Sequence, residues 1–88
     1  MYEYKTSKTL KKILNKLQVK DKVRFEAVLN KIKEVITSSD ITHYKNFRYD
    51  MKEYRRVHID SSFVLIFKIE GNIILFEDLQ HHDDMYRR

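Results

Sequence analysis

Arginine and histidine side chains that could handle an anionic substrate lie close together in the second half of the sequence. Val57 and Ile59 are two residues apart and should face the core of a strand. Arg56 and His58 then project from the opposite face. Near neutral pH a histidine can accept or donate a proton, and an arginine can hold a phosphate. The pattern indicates acid–base chemistry, although an exposed arginine and histidine also occur on ordinary solvated strands.

The C-terminal segment adds a second group of polar and aromatic side chains. His81 and His82 are adjacent, so an extended chain points them to opposite sides, and no outer pair with metal-ligand spacing accompanies them. We therefore expect no metal site. His82 and the aromatic Tyr86 instead extend the acid–base set that Arg56 and His58 begin.

Composition limits the kind of protein that can carry these residues. The chain has 88 residues and a mass of 10.8 kDa, which suits one domain, residues 1–88. The absence of cysteine excludes disulfides, thiolate zinc sites and thiol nucleophiles. The longest uninterrupted apolar run, residues 63–67, is far shorter than the roughly 20 residues of a membrane span, and no signal-like stretch begins the chain. We expect a soluble, cytoplasmic protein without a cofactor.

Positive charge is concentrated in the first part of the chain. The formal net charge is +5, from 18 Lys and Arg against 13 Asp and Glu. Residues 1–33 carry ten basic and three acidic side chains, residues 43–59 carry five and two, and residues 60–86 carry one and six. This balance predicts a polyanion or an acidic protein as partner, bound by the N-terminal helices and residues 43–59. A solvated lysine face is the alternative interpretation.

Two helices should precede the strands. Ser7 is a candidate N-cap before one stripe of apolar residues at helical spacing, and Asp21 is a candidate N-cap before another. The second helix should end near Ile36, before the polar residues 37–40. The short connection between the helices predicts a helical hairpin with a shared apolar face. The apolar positions are Leu10, Ile13, Leu14 and Leu17 in the first helix and Phe25, Val28, Leu29, Ile32 and Ile36 in the second.

The remaining segments have the composition of strands and turns. Residues 1–5 alternate tyrosine with charge, which suits an edge strand. Residues 63–69 and 73–77 are apolar runs around a turn at residues 70–72 that holds the only glycine, so they should form a hairpin. Residues 80–88 are polar and too short for much structure. We predict an α+β fold with an N-terminal strand, a helical hairpin and a three- or four-stranded antiparallel meander. The helices should pack on one face and leave the other open.

Three stretches of the sequence resemble a known family. They are residues 54–60 (Tyr-Arg-Arg-Val-His-Ile-Asp), 64–69 (Val-Leu-Ile-Phe-Lys-Ile) and 82–86 (His-Asp-Asp-Met-Tyr). With the order of elements along the whole chain, they resemble the RelE/ParE toxin superfamily and are most similar to its YafQ-type branch. The resemblance implies a RelE-like fold and the toxin of a type II toxin–antitoxin pair. It also implies a metal-independent endoribonuclease that cleaves mRNA in the ribosomal A site and inhibits translation.

The resemblance also implies roles for individual residues. The late histidine of the branch matches His82 and its strand histidine matches His58. We expect His82 to be the general acid and His58 the base, and the reverse assignment stays open. An aspartate of the branch falls on Ser62, which makes Asp60 the alternative base. The other catalytic assignments are phosphate binding by Arg56 and base stacking by Tyr86.

Basic residues outside this group are expected to bind RNA phosphates. Arg55 would assist Arg56, and His43 is the counterpart of an earlier histidine of the branch at a spacing that differs by about two residues. The resemblance implies four kinds of partner: a cognate acidic, RelB-like antitoxin, the ribosome, mRNA, and DNA only through the antitoxin. The predicted RNA-binding residues are Lys8, Lys12, Lys16, His43, Lys45, Arg48, Lys52 and Arg55.

Three other interpretations are compatible with parts of this pattern. A ParE-like gyrase inhibitor shares the fold but has no need of His58 and His82. A catalytically degenerate toxin would bind its antitoxin without cutting RNA, and the departure at Ser62 keeps this interpretation open. A non-catalytic nucleic-acid-binding module would use tyrosines as stacking platforms, although tyrosines in edge strands more often pack. Those tyrosines are Tyr2, Tyr4, Tyr44 and Tyr49.

Overall fold

The protein is built from two long helices and a five-stranded sheet, which confirms the predicted α+β fold. The computed structural model describes residues 1–41, 44, 46–48 and 51–85, and for residues 46–48, 51–52 and 84–85 it describes the backbone alone. In chain order the elements are β1 (Glu3–Thr6), α1 (Lys8–Lys20), α2 (Lys22–Ile36), β2 (Asn46–Arg48), β3 (Met51–His58), β4 (Phe63–Glu70), β5 (Ile73–His81) and the short α3 (His82–Met85).

Both helices begin at the residues that the sequence predicts. The Ser7 side chain accepts a hydrogen bond from the backbone N–H of Leu10 at 3.0 Å and so caps α1. Asp21 accepts one from the N–H of Arg24 at 3.1 Å and caps α2. Asp21 is the only residue between the two helices, and α2 ends at Ile36 as predicted.

The strands form one sheet in the order β1-β5-β4-β3-β2. β1 lies at an edge, as predicted, and pairs with β5 in parallel, whereas β2 to β5 form an antiparallel meander. The β4–β5 hairpin turns at Gly71 and Asn72, and Gly71 has a φ of 60°. A side chain rarely adopts this left-handed conformation, so the turn uses the only glycine of the chain.

The core lies between one face of the sheet and the two helices. Leu65 and Phe67 of β4 and Phe76 of β5 are buried against apolar residues of α1 and α2. The buried stripe of α2 differs from the predicted one, because Leu29 is 43% exposed and Val35, which was not predicted, is buried. Val35 follows Val28 by two helical turns, whereas Leu29 lies at the edge of this stripe. Within the described residues, no helix has the length and apolar character needed to cross a membrane.

The face of the sheet away from the helices has buried apolar residues of its own. Val64 and Ile66 of the central strand β4 are buried although they lie outside the core cluster. They sit between β3 and β5, whose side chains flank them. The expectation that the polar C-terminal residues form little structure was wrong for residues 80–85, which belong to β5 and α3. Gln80 and His81 belong to β5, because their backbone groups extend its ladder with β4.

Candidate active site

The third strand presents Arg56 and His58 on the face of the sheet away from the helices. In the register of the sheet Arg56 pairs with Ile66 and His58 with Val64. The intervening Val57 packs against the core, as the sequence predicts, so its two neighbours point the other way. This face, defined by Arg56, His58 and the buried Val64 and Ile66 beneath them, is called the site face below.

A one-residue bulge in β5 determines which C-terminal histidine reaches the site face. Ile66 pairs with Asp78 and Phe67 pairs with Phe76, so Glu77 has no partner in the ladder. Without the bulge, alternation from Phe76 would turn His82 towards the helices. The extra residue shifts the alternation by one, and His82 faces the same side as His58.

Ser7 holds this bulge in place from the start of the first helix. Its backbone N–H donates to the carbonyl of Phe76 at 2.9 Å, and its hydroxyl donates to the carbonyl of Glu77 at 2.5 Å. The same hydroxyl oxygen accepts the N–H of Leu10. One serine therefore caps α1 and satisfies the two carbonyl groups at the bulge.

His58 and His82 meet on the site face, although 24 positions separate them in the chain. Their ring centroids are 5.5 Å apart and the ring planes are tilted by 34°. The backbone N–H of His82 donates to the carbonyl of Ser62 at 2.6 Å, which attaches the start of α3 to the turn between β3 and β4. His58 is exposed and His82 is half-buried. Two imidazole rings thus share one accessible surface.

Asp60 is part of that turn and has a structural task. Its Oδ1 accepts the backbone N–H groups of Ser62 at 2.7 Å and Phe63 at 3.0 Å, and its Oδ2 lies 3.6 Å from Nε of Arg24. The hydrogen bond from Ser62, with the one from Phe63 and the positive charge of Arg24, holds the pKa of Asp60 below its usual value. A carboxylate with a lowered pKa is a weak proton acceptor at neutral pH.

Comparison with known proteins shows which family this chain belongs to. A protein of Methanocaldococcus jannaschii named "Putative toxin RelE4" is 41% identical to this chain over 90 residues. The match covers 100% of this chain and 94% of that protein. This chain belongs to the RelE family of toxins. No protein-family model matches it.

Two solved structures have the same fold as this chain. The YoeB/ParE toxin from Agrobacterium tumefaciens superposes with a TM-score of 0.75 at 12% identity, over 91% of this chain and 98% of that one. The E. coli DinJ–YafQ complex contains a chain that superposes with a TM-score of 0.66 at 17% identity, over 99% of this chain and 100% of that one. At such identities the likeness concerns the fold alone.

Other predicted residues of this RelE-family chain lie away from the histidine pair. Arg55 alternates with Arg56 and faces the helix side, where its Nη1 donates to the carbonyl of Tyr44 at 2.8 Å. Tyr44 in turn packs edge-on against Phe67, with ring centroids 5.6 Å apart. The predicted lysines of α1 are exposed, but α1 packs on the face opposite the site face. They are Lys8, Lys12 and Lys16.

Several predicted residues cannot be placed in the site. Tyr86, His43 and Lys45 lie outside the described residues. Arg48 and Lys52 lie in β2 and β3, for which the backbone alone is described at these positions. Among the described residues, no three His, Asp or Glu side chains are close enough together to hold a metal ion.

The sequence analysis missed two polar residues of the site face. Asp78 pairs with Ile66 and Gln80 with Val64, so both lie across β4 from Arg56 and His58. The Gln80 amide donates to Oδ2 of Asp78 at 3.0 Å. No periodic signal could have found them, because alternation from Phe76 assigns both to the helix side until the bulge is known.

Proposed function

We propose that this RelE-family protein is an endoribonuclease toxin that cleaves mRNA in the ribosomal A site by general acid–base catalysis. The proposal rests on the contact between the His58 and His82 rings, whose centroids lie 5.5 Å apart on an accessible face. A protein that only blocked a binding partner would not need two imidazoles there. Cleavage of RNA, in contrast, needs one proton acceptor and one proton donor close together.

The two histidines would act on one phosphodiester. His58 takes the proton of the ribose 2′-OH, and the 2′-oxygen attacks the phosphorus. The bond from phosphorus to the 5′-oxygen then breaks, and His82 gives its proton to that oxygen. The products are a 2′,3′-cyclic phosphate and a 5′-OH. Each correctly placed acid or base contributes roughly 10²- to 10⁴-fold to the rate.

Arg56 supplies the positive charge that this reaction needs. It lies two residues before His58 on the same strand and faces the same side. A guanidinium there would hold the phosphate and stabilise the additional negative charge of the phosphorane. Tyr86, four residues after His82, would stack on a neighbouring base and contribute about 1–3 kcal/mol to binding.

The contacts of Asp60 favour His58 as the base. Asp60 is engaged by two backbone N–H groups and by Arg24, and its pKa is lowered. His58 is exposed on the site face beside His82. The proposal therefore assigns the base to His58 and the acid to His82, and it gives Asp60 no proton-transfer role.

The proposed partner is an acidic antitoxin, and one groove of the described residues suits an amphipathic segment of it. The groove has a volume of about 300 Å³ and lies between β1 and the two helices. Tyr4 and Leu29 are half-exposed there, which leaves apolar surface to cover. The surrounding helices are rich in lysine, so acidic flanks would match them. One of the solved structures with this fold is itself a complex of two proteins, DinJ and YafQ. The lining residues are Tyr4, Thr6, Leu14, Leu29, Ile32, Lys33 and Ile36.

Induced expression with matched histidine variants tests the ribonuclease. Wild type, H82A and H81A are induced in growing cells, and primer extension on an abundant mRNA maps new ends. His81 is the matched control, because it is adjacent to His82 but does not lie on the site face. Its ring packs on Phe63, with the ring centroids 5.2 Å apart. We expect growth arrest and new in-frame ends with wild type and H81A, and at least a roughly 100-fold loss of cleavage with H82A.

Other outcomes separate the alternatives. Growth arrest without new mRNA ends, unchanged in H82A, would favour a ParE-like gyrase inhibitor. No arrest with the wild-type protein would indicate a catalytically degenerate toxin or a plain binding module. Equal loss of cleavage in H81A and H82A would mean that the region as a whole, rather than the ring on the site face, matters.

A further inference from the structure

Arg24 connects the second helix to the turn between β3 and β4. Its Nη1 donates to Oδ2 of Asp21 at 2.7 Å, and its Nε lies 3.6 Å from Oδ2 of Asp60. The guanidinium carbon is 4.2 Å from the centre of the Phe63 ring. One side chain therefore contacts the cap of α2, the turn and the first residue of β4.

Both histidines of the site face are attached to that same turn. His58 is the last residue of β3 before the turn, which is closed by the bond from the N–H of Ile59 to the carbonyl of Phe63 at 2.9 Å. His82 is attached through its own N–H, which donates to the carbonyl of Ser62 at 2.6 Å. A shift of residues 59–62 would move the two imidazoles relative to each other.

The chemistry of arginine suits this position. A planar guanidinium can lie over an aromatic ring and still donate in its own plane to carboxylates on two sides. The Arg24 side chain is 28% exposed, and its Nε is shielded from solvent with no hydrogen-bond partner among the described atoms. Oδ2 of Asp60 lies 3.6 Å from this Nε, so the guanidinium charge is shared between Asp21 at the cap of α2 and Asp60 in the turn. A lysine could keep the charge but not the flat contact with Phe63.

We propose that Arg24 is a positioning residue that fixes the turn at residues 59–62 and thereby the contact between His58 and His82. It lies on α2, on the helix side of the sheet, and not on the site face where the substrate would bind. Its effect on cleavage rests on the proposed ribonuclease function, but its effect on the ring contact does not. The proposal therefore makes one prediction for the free protein and one for the reaction.

The test compares R24M with K31M. Methionine removes the guanidinium of Arg24 but retains a long apolar stem over Phe63. Lys31 is the matched control, since it lies on the same helix and pairs with Glu34 at 3.3 Å, away from the turn. The first measurement is the NMR cross-peak between the ring protons of His58 and His82 in the purified protein. The second is single-turnover cleavage of mRNA on programmed ribosomes, with ribosome binding measured separately by co-sedimentation.

We expect R24M to weaken the cross-peak and to slow the cleavage step roughly 10- to 100-fold, because misplacement of catalytic groups by about 1 Å has effects of this size. Ribosome binding should change less than about twofold, because the guanidinium is engaged by Asp21, Asp60 and Phe63 within the protein. K31M should behave as wild type in all three measurements. R24K should recover part of the cleavage rate, since it keeps the charge between Asp21 and Asp60.

The other possible results decide whether the proposed role of Arg24 stands. An intact cross-peak and an unchanged cleavage rate in R24M would overturn the proposal, and so would equal losses in R24M and K31M. If R24M does not fold, D60N replaces it, because an asparagine can still accept the turn N–H groups while the charge facing Arg24 is gone. An intact ring contact in D60N would then overturn the proposal. If wild type does not cleave mRNA, the ribonuclease fails and the cross-peak alone decides the role of Arg24.

Discussion

At the scale of the residue, the role of a side chain depends less on its chemical type than on the side of the backbone from which it projects. His81 and His82 are adjacent and identical, yet one packs on Phe63 and the other meets His58. Arg55 and Arg56 differ in the same way, since Arg55 donates to the carbonyl of Tyr44 while Arg56 lies on the site face. In both pairs, neighbouring side chains leave the backbone on opposite sides. For Arg55 and Arg56 the period of strand β3 explains this, whereas His81 ends β5 and His82 begins α3.

The role of Asp60 leads to a prediction about stability and pH. In the folded protein its pKa is lowered from the usual 3.8, so its contribution to stability is present above the unfolded pKa. The contribution is lost as the pH falls through the lower, folded pKa. We expect D60N to unfold at a lower urea concentration than wild type at pH 7, with the two midpoints converging as the solution is acidified below about pH 4. The difference at pH 7 should be about 1 kcal/mol or less, because the Asp60 side chain is 41% exposed.

Glu53 provides the control for this experiment. It is exposed on β3, and E53Q removes one carboxylate without disturbing the turn. E53Q makes the same change in net charge outside the turn, so its midpoints show how net charge alone affects unfolding across the pH range. A difference between D60N and wild type that did not change with pH would show that the effect comes from the side-chain shape and not from the charge at the turn.

At the scale of the element, patterns of neighbouring residues predicted the two helices and the alternation of side chains in β3. They did not predict which side chains of β5 face the helices and which face away. The caps at Ser7 and Asp21 depend on neighbours three residues away, so they can be found in the sequence. The bulge at Glu77 depends on Ser7, which is 70 positions away, and such a contact has no local pattern. The sequence could therefore identify His82 as a candidate through family resemblance, but not the reason why it faces His58.

Ser7 thus offers a prediction that joins stability to the site. S7A removes both the cap of α1 and the hydroxyl that donates to Glu77, so the free energy of unfolding should fall by about 1–2 kcal/mol. The cross-peak between the rings of His58 and His82 should weaken at the same time, because the bulge is less firmly held. S7T keeps a hydroxyl and should restore most of both. If S7A lost stability while the cross-peak kept its full intensity, Ser7 would be a helix cap alone.

At the scale of the whole molecule, charge is distributed over two sides of the sheet. Arg56 and the histidine pair occupy the site face, while the lysines of α1 lie on the helix side. A single strand of mRNA cannot contact both groups through one short segment, because the sheet separates them. Under the proposed function the α1 lysines would therefore meet other phosphates of a large partner, such as ribosomal RNA.

The salt dependence of the affinity for ribosomes shows whether those lysines contact phosphate directly or only add to the net positive charge. Lys8, Lys12 and Lys16 recur every four residues and form one exposed stripe of α1. If each contacts one phosphate, replacing all three by glutamine should reduce the slope of log affinity for ribosomes against log salt by about 2 to 3. The matched control replaces three other exposed lysines, two on α1 and one on α2, and makes the same change in net charge. These are Lys11, Lys20 and Lys22.

The two triple variants distinguish direct phosphate contacts of the α1 stripe from attraction of RNA by the net charge of the protein. Release of counterions requires direct contact with phosphate, and so the slope should fall for the Lys8, Lys12 and Lys16 variant and stay near that of wild type in the control. An equal, smaller loss of affinity in both variants would mean that the net charge of +5 attracts RNA without a defined contact on α1. A short, 2′-O-methylated single-stranded RNA, which cannot be cleaved, should show little difference between the two variants. Such an oligonucleotide would occupy the site face and would not reach α1.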